Sequence, residues 1–251
     1  MPYDVEGTAF LTIAGVVAGV VGTAGGITSL VSYPALLAVG ISPLTANVTN
    51  SVALLGSGAS SATRAAPDVT GHGETIRRFL PISIVLSLAG AVVLVLTPGR
   101  VFDRIVPFLV AAGALIVLLQ PRISRWQEHH EHSLGRGQVL AGLSCVALYN
   151  GYFGAGSGIL LVALLMLTVE PVLHRANSMK NVVLVASDVL PAVLFAVLGT
   201  VVWSAAIPLG VGAVVGGLLG PAVARRTRPD VLRVLIACCG FALAAWLLLN
   251  P

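Results

Sequence analysis

Charge is what this sequence has least of. Acidic and basic residues together fill 10% of its 251 positions, where a soluble domain ordinarily carries roughly 25%. So few ionised groups cannot cover a surface that faces water, which excludes a soluble globular protein. Disorder is excluded from the other side, because hydrophobic residues make up 57% and the mean hydropathy is +0.97. Cysteine is scarce as well: 3 residues are too few for a disulfide scaffold. Cys145, Cys238 and Cys239 lie inside apolar runs without metal-site spacing and read as small packing residues. The 28 glycines follow no triplet period, so a collagen-like chain is excluded. Also missing are the ten-residue alternations of apolar and polar residues that a membrane β-barrel needs. In their place stand long, continuously apolar runs such as Pro81–Leu96 and Val231–Leu249. In lipid these satisfy their backbone only as helices, so the expected class is an all-α, polytopic membrane bundle. Met1–Gly7 is acidic and lacks a basic n-region, so no cleavable leader is expected.

Ten helical segments are expected, at about 8–22, 26–39, 44–64, 76–97, 102–120, 137–152, 157–170, 174–202, 205–225 and 229–249, with a kink at Pro191. The segments 8–22, 26–39, 137–152 and 157–170 fall short of the roughly 20 residues of a full span. Each short pair is joined by a glycine-rich turn. Such interruptions at matching places in two halves point to discontinuous or re-entrant helices. The halves do match. Gly22–Ile27 resembles Gly154–Ile159 at a separation of 132, and Ala46-Asn47 resembles Ala176-Asn177 at 130. Gly90, Asp103 and Gly113 match Gly217, Asp230 and Gly240 at 127. Preserved order with slowly drifting separation is what a diverged duplication leaves.

One transmembrane domain is therefore expected, with repeat 1 over about 8–120, a linker over 121–136 and repeat 2 over 137–249. Five segments per half is an odd number, so the repeats are expected to be inverted in the membrane. With both termini outside, 11 of the 14 basic residues face inward, as the positive-inside rule asks, and the linker is cytoplasmic. The basic balance is thus a topology signal and calls for no nucleic-acid partner.

A chain that breaks a helix inside the membrane must line a protein cavity there. The helix after each turn begins with free N–H groups and the positive end of its dipole, and glycine lets a ligand approach that backbone. Gly25 and Gly26 in the first turn, and Gly156, Ser157 and Gly158 in the second, are therefore candidates for anion binding. The competing reading is tight helix packing, which fits Gly15, Gly19, Gly212, Gly216 and Gly220 better. Beyond the turns, Asn47 and Asn50 share a helix face, as do Asn177, Lys180 and Asn181. They can contact a ligand or bond helix to helix. Lys180 is the single lysine, and a charge at the bilayer centre costs about 2.5–3.5 kcal/mol on insertion scales. It can neutralise an anion or snorkel to the cytoplasmic interface. Asp188 can carry a coupling proton or pair with Lys180. The run Glu128–His132 reads as a solvated linker with the alternative of weak metal binding. No Ser-His-Asp set, HExxH, P-loop or dinucleotide fingerprint occurs, so no catalytic residue, cofactor or resident metal is expected.

The turn Gly22–Gly26 followed by Pro34 and Ala46-Asn47, its second copy Gly151–Gly158, and the run Gly210–Arg226 ending in an arginine pair before another span together resemble the sulfite exporter TauE/SafE family. The resemblance covers about 8–249. It implies a membrane transporter that exports or takes up small anions: sulfite, sulfonates such as sulfoacetate, and related organic acids. The first turn reads Gly-Thr-Ala-Gly-Gly, less glycine-rich than many members. The combined expectation is an exporter of small anions in the cell membrane, surrounded by lipid and compatible with a homodimer. A cation or metal transporter using Asp188 and histidines, and an accessory subunit without a substrate, are the alternatives.

Overall fold

The computed structural model describes residues 5–25, 27–65, 69–128, 135–224 and 229–249. Among these the regular elements are helices, with no strand: α1 (Val5–Gly25), α2 (Ser29–Ala38), α3 (Pro43–Ala65), α4 (Gly73–Leu96), α5 (Gly99–Glu128), α6 (Arg136–Tyr152), α7 (Ser157–Thr168), α8 (Leu173–Leu198), α9 (Trp203–Ala224) and α10 (Pro229–Leu249). All ten expected segments are present. Proline opens α3 and α10, where its missing N–H costs nothing. Val5–Gly22, Gly73–Leu96, Gly99–Arg122 and Leu173–Leu198 are long and apolar enough to cross a membrane.

Two boundaries differ from expectation for identifiable reasons. α1 has 21 residues and runs through Gly22 to Gly25, so it is a full-length element rather than a short one. A glycine inside a helix costs only about 1 kcal/mol relative to alanine, too little to end it. The interruption before α2 is confined to residues 26–28. α5 continues through Pro121 to Glu128, into the expected linker, because proline forfeits one backbone bond and bends a helix without having to stop it. The short elements are α2, with 10 residues, and α7, with 12, one in each half. Pro191 lies inside the continuous α8.

The packing of the first five helices parallels that of the last five. α1 packs on α9 as α6 packs on α4; α3 lies against α9 as α8 lies against α4; α3 meets α8, and α5 meets α10. Exchanging α1–α5 with α6–α10 interchanges the first four of these contacts in pairs and converts each of the last two into itself. Glycine sets the two closest crossings. A Cβ on Gly19 would run into the Ala213 carbonyl, and one on Gly216 into that of Val16. At the other crossing a Cβ on Gly151 would strike the Ser87 carbonyl, and one on Gly90 that of Leu148. Val16 and Leu148 are 132 positions apart, as are Gly19 and Gly151. The steric counterpart of Gly90 is therefore Gly216, one residue before the Gly217 that sequence matching pairs with it. Gly15 and Gly212 take part in the same α1–α9 contact, so these glycines serve packing, as small-residue faces do. Gly220 has no described surroundings.

α3 is the polar exception. Its 23 residues include Asn47, Thr49, Asn50, Ser51, Ser57, Ser60 and Ser61. It is wedged among α8, α9 and α2, where polar groups face protein instead of lipid.

Candidate binding cavity

A cavity of about 140 Å³ lies between α3 and α8 and is closed by the two interruptions, Thr28-Ser29 on one side and Gly154–Gly158 on the other. This is close to the roughly 150 Å³ of a cavity that admits one benzene ring, so it has room for about six non-hydrogen atoms. The two long walls correspond at five positions. Asn50, Ser51, Leu54, Gly58 and Ser61 on α3 line it, and so do Lys180, Asn181, Leu184, Asp188 and Pro191 on α8. Each pair is 130 positions apart, the separation of Ala46-Asn47 from Ala176-Asn177.

The backbone of the α6–α7 interruption explains one end. The Phe153 and Gly154 N–H groups both donate to the Tyr149 carbonyl, at 2.9 and 3.1 Å, closing α6. Gly154 and Gly156 adopt φ of 76° and 82°, a left-handed conformation that favours glycine. The Tyr149 hydroxyl donates to the Ala155 carbonyl at 2.6 Å and holds the turn against its own helix. At the start of α7 the Ser157 N–H donates to Gly154 O and the Ile159 N–H to Gly156 O, both at 3.1 Å. The expected row of free donors is thus reduced. Among the described residues the Gly158 N–H has no backbone acceptor, and Gly158 lines the cavity.

Of the residues expected at the site, Asn50, Ser157, Gly158, Lys180, Asn181 and Asp188 line the cavity together. Lys180 is 2% exposed and, among the described residues, has no hydrogen-bond or ion-pair partner. It is buried beside the cavity and does not reach the outer surface. Asn50, its counterpart, is 3% exposed, and its Oδ1 also pairs with nothing among the described residues. Asp188 does not pair with Lys180. Its Oδ1 accepts from Asn150 Nδ2 at 2.6 Å.

Three expected residues stand elsewhere. Asn47 donates from Nδ2 to the Tyr152 carbonyl at 3.0 Å, satisfying one of the acceptors that a helix end leaves over. Asn177, its counterpart, is half-buried and outside the lining, and Gly156 shapes the turn without lining the cavity. Gly25 is the last residue of α1, and Gly26 lies outside the described residues. The histidines 129, 130 and 132 lie outside them too. Among the described residues no three His, Cys, Asp or Glu side chains are grouped to hold a metal ion.

The sequence reading passed over Asn150. It sits in the last turn of α6, one residue before Gly151, and joins three elements. Nδ2 donates to Asp188 on α8 and, at 3.4 Å, to Ser87 Oγ on α4, while Oδ1 accepts from Ser157 Oγ on α7 at 2.6 Å. Its position directly before the second glycine-rich turn was the signal available. Also unforeseen is Glu170, 4% exposed between α7 and α8, which accepts from the Val172 N–H at 2.9 Å and lies 3.1 Å from His72 Nε2 and 3.9 Å from an Arg175 nitrogen.

With this geometry in place, comparison with known proteins is informative. The family model of the sulfite exporter TauE/SafE matches residues 9–247. A probable membrane transporter protein, ORF9, of Sinorhizobium sp is 29% identical over 249 residues, covering 97% of this chain and 93% of that protein. The probable membrane transporter protein YfcA of Escherichia coli strain K12 is 24% identical over 238 residues, with 95% and 88% covered. A probable membrane transporter protein of Haemophilus influenzae is 23% identical over 248 residues, with 98% and 96% covered. No solved structure matches at a significant level.

Proposed function

We propose that this chain, which belongs to the sulfite exporter TauE/SafE family and is a multi-pass membrane transporter, carries a small anion outward across the cell membrane. The anion sits between two inverted repeats, and both termini lie outside. Sulfite, small sulfonates and related organic acids are the substrate class. One observation carries this reading: Lys180, a buried cation without a partner among the described residues, faces a cavity of about 140 Å³ on the seam between the halves. An isolated buried charge is costly, and a small anion offsets that cost. The Gly158 N–H, the Asn50 and Asn181 amides and the Ser57 hydroxyl supply the remaining polar contacts. A negative-inside potential favours the exit of an anion by about 2.3 kcal/mol per charge per 100 mV, so export needs no second driving ion.

The test is thermal stabilisation of the purified protein in nanodiscs. Sulfite and methanesulfonate should raise the melting temperature in a saturable way, and divalent cations should not. Stabilisation by divalent cations alone supports a cation transporter, and stabilisation by nothing supports an accessory subunit. Liposomes carrying an imposed potassium diffusion potential then give the direction, with anion efflux expected to rise with inside-negative potential.

A further inference from the structure

The bonds around Asn150 form a chain with a direction. An ionised carboxylate only accepts hydrogen bonds. With Asp188 ionised, the Asn150 NH₂ must face it, and Asn150 Oδ1 must face α7. Ser157 then spends its only proton on that oxygen. This is the arrangement observed: Ser157 Oγ donates to Asn150 Oδ1, and Asn150 Nδ2 donates to Asp188 Oδ1, both at 2.6 Å. Ser157 lines the cavity, so in this state it shows the cavity lone pairs and no donor, which disfavours an anion.

We propose that Asn150 is a two-position relay that couples a proton on Asp188 to anion binding at Ser157. This rests on the anion-transport reading above. When Asp188 takes up one proton from solution it becomes a donor. The Asn150 amide then turns over: Oδ1 accepts the new Asp188 O–H, and Nδ2 donates to Ser157 Oγ. Ser157 keeps its own proton and turns it toward the cavity, where it donates to the anion. The balance is one proton bound, on Asp188; none passes to Asn150 or Ser157, and no covalent bond changes apart from that O–H. Ser87 Oγ, 3.4 Å from the Asn150 amide, is a hydroxyl that accepts in one state and donates in the other, so both orientations are satisfied.

Among the described residues Lys180, two turns from Asp188 on the same helix, is the only other ionisable group in the cavity lining. Among the described side chains α3 and α7 add no ionisable group to it, and α4 meets the chain through Ser87. On α6 the Tyr149 hydroxyl is engaged by Ala155 O. The relay also belongs to one half. Ala18 and Gly25 stand 132 positions before Asn150 and Ser157, and Gly58 stands 130 before Asp188, so repeat 1 carries none of the three side chains.

A plain charge effect would also tie anion binding to protonation of Asp188, because neutralising a carboxylate near an anion helps it bind. The two differ in whether Ser157 and Asn150 are needed. The experiment is calorimetry of methanesulfonate binding to the full chain in nanodiscs, between pH 5 and pH 8, in buffers of different ionisation enthalpy. Methanesulfonate is ionised throughout, so any proton taken up belongs to the protein. Wild type should take up a fraction of a proton per anion bound. Ser157→Ala, a small change that leaves the fold intact, should abolish that uptake and weaken binding about 10- to 150-fold at the acid end, with no more than about a twofold change at the alkaline end. Asn150→Ala should abolish uptake as well. Asp188→Asn, whose NH₂ can donate to Asn150 Oδ1, should bind tightly at every pH without uptake. Wild-type uptake retained in Ser157→Ala would overturn the relay in favour of the charge effect. Binding by wild type without any uptake would overturn it too, while leaving the anion site standing. Absence of binding to wild type would sink the anion-transport reading and the relay together.

Discussion

Replacing Lys180 by methionine should move stability and affinity in opposite directions, a combination that a structural lysine would not give. The ammonium is buried at 2% exposure and has no partner among the described residues, so the ligand-free protein bears its desolvation. Insertion scales put a lysine at mid-helix about 2.5–3.5 kcal/mol above an apolar residue. Methionine fills nearly the same volume without the charge, so the ligand-free variant should gain about 2–3 kcal/mol, or roughly 5–10 °C in melting temperature. The anion loses a charge-assisted contact worth about 1.5–3 kcal/mol, and its affinity falls about 10- to 150-fold. Take an anion concentration 100 times the wild-type Kd, which stabilises wild type by about 2.7 kcal/mol. A 100-fold weaker variant then gains only about 0.4 kcal/mol. Melting curves of both proteins with and without methanesulfonate read all four quantities. Lys180→Arg should keep part of the affinity, since the charge survives and the donor geometry changes. Equal affinity in wild type and Lys180→Met, or a methionine variant less stable without ligand, would refute the reasoning.

Glycine at the crossings should be intolerant where the backbone approaches and tolerant where it does not. Gly151→Val, aimed at the Ser87 carbonyl, should cost at least about 3 kcal/mol, whereas Gly73→Ala, with open space around it, should stay within about 0.5 kcal/mol, both by melting. Gly158→Val should leave a folded, membrane-inserted protein by chromatography and abolish anion uptake in liposomes, because Gly158 lines the cavity and a β-branched side chain hinders approach to its N–H; normal transport would move the site off this turn. In a background with Cys145, Cys238 and Cys239 replaced by alanine, His130→Cys should react with an impermeant thiol reagent from the cytoplasmic side only and Asp4→Cys from outside only; the reverse pattern would overturn the proposed orientation. Glu170→Ala should cost about 1–3 kcal/mol by leaving the Val172 N–H and the His72 ring without their acceptor, seen as faster hydrogen exchange at 169–172.

The helices were legible because long apolar runs in lipid admit one solution, and ten segments were expected and found. Lys180 and Asp188 stood out because charge inside such runs is rare. Helix ends were less legible. Gly22 carries the same composition as a true break, yet the helix runs through it to Gly25, since a glycine that makes room for a neighbouring side chain, here Thr28, and a glycine that ends a helix look alike in sequence. Asn47 and Asn50 show the same ambiguity one turn apart. Both were placed on the ligand side by their shared face, but Asn47 meets the leftover Tyr152 carbonyl of α6, a partner fixed only by how α3 and α6 pack. Asn150 was illegible for the opposite reason. Alone in its helix it has no periodic companion, and its three partners come from α4, α7 and α8, which only the folded chain brings together.

Different packing demands account for the way the two walls of the cavity differ. Where backbone meets backbone, as at Gly19 with Ala213 and at Gly151 with Ser87, any Cβ added to the glycine collides, so both halves are held to the same residue. The cavity wall has no such requirement. A side chain there faces space instead of a neighbouring backbone, and its replacement leaves the crossing unchanged. The same 130-residue correspondence accordingly pairs Asn50 with Lys180 and Gly58 with Asp188. One half supplies amide and hydroxyl groups, and the other supplies both charges. If the proposed anion sits between them, it meets a positive charge on one side only, and the two halves hold it unequally.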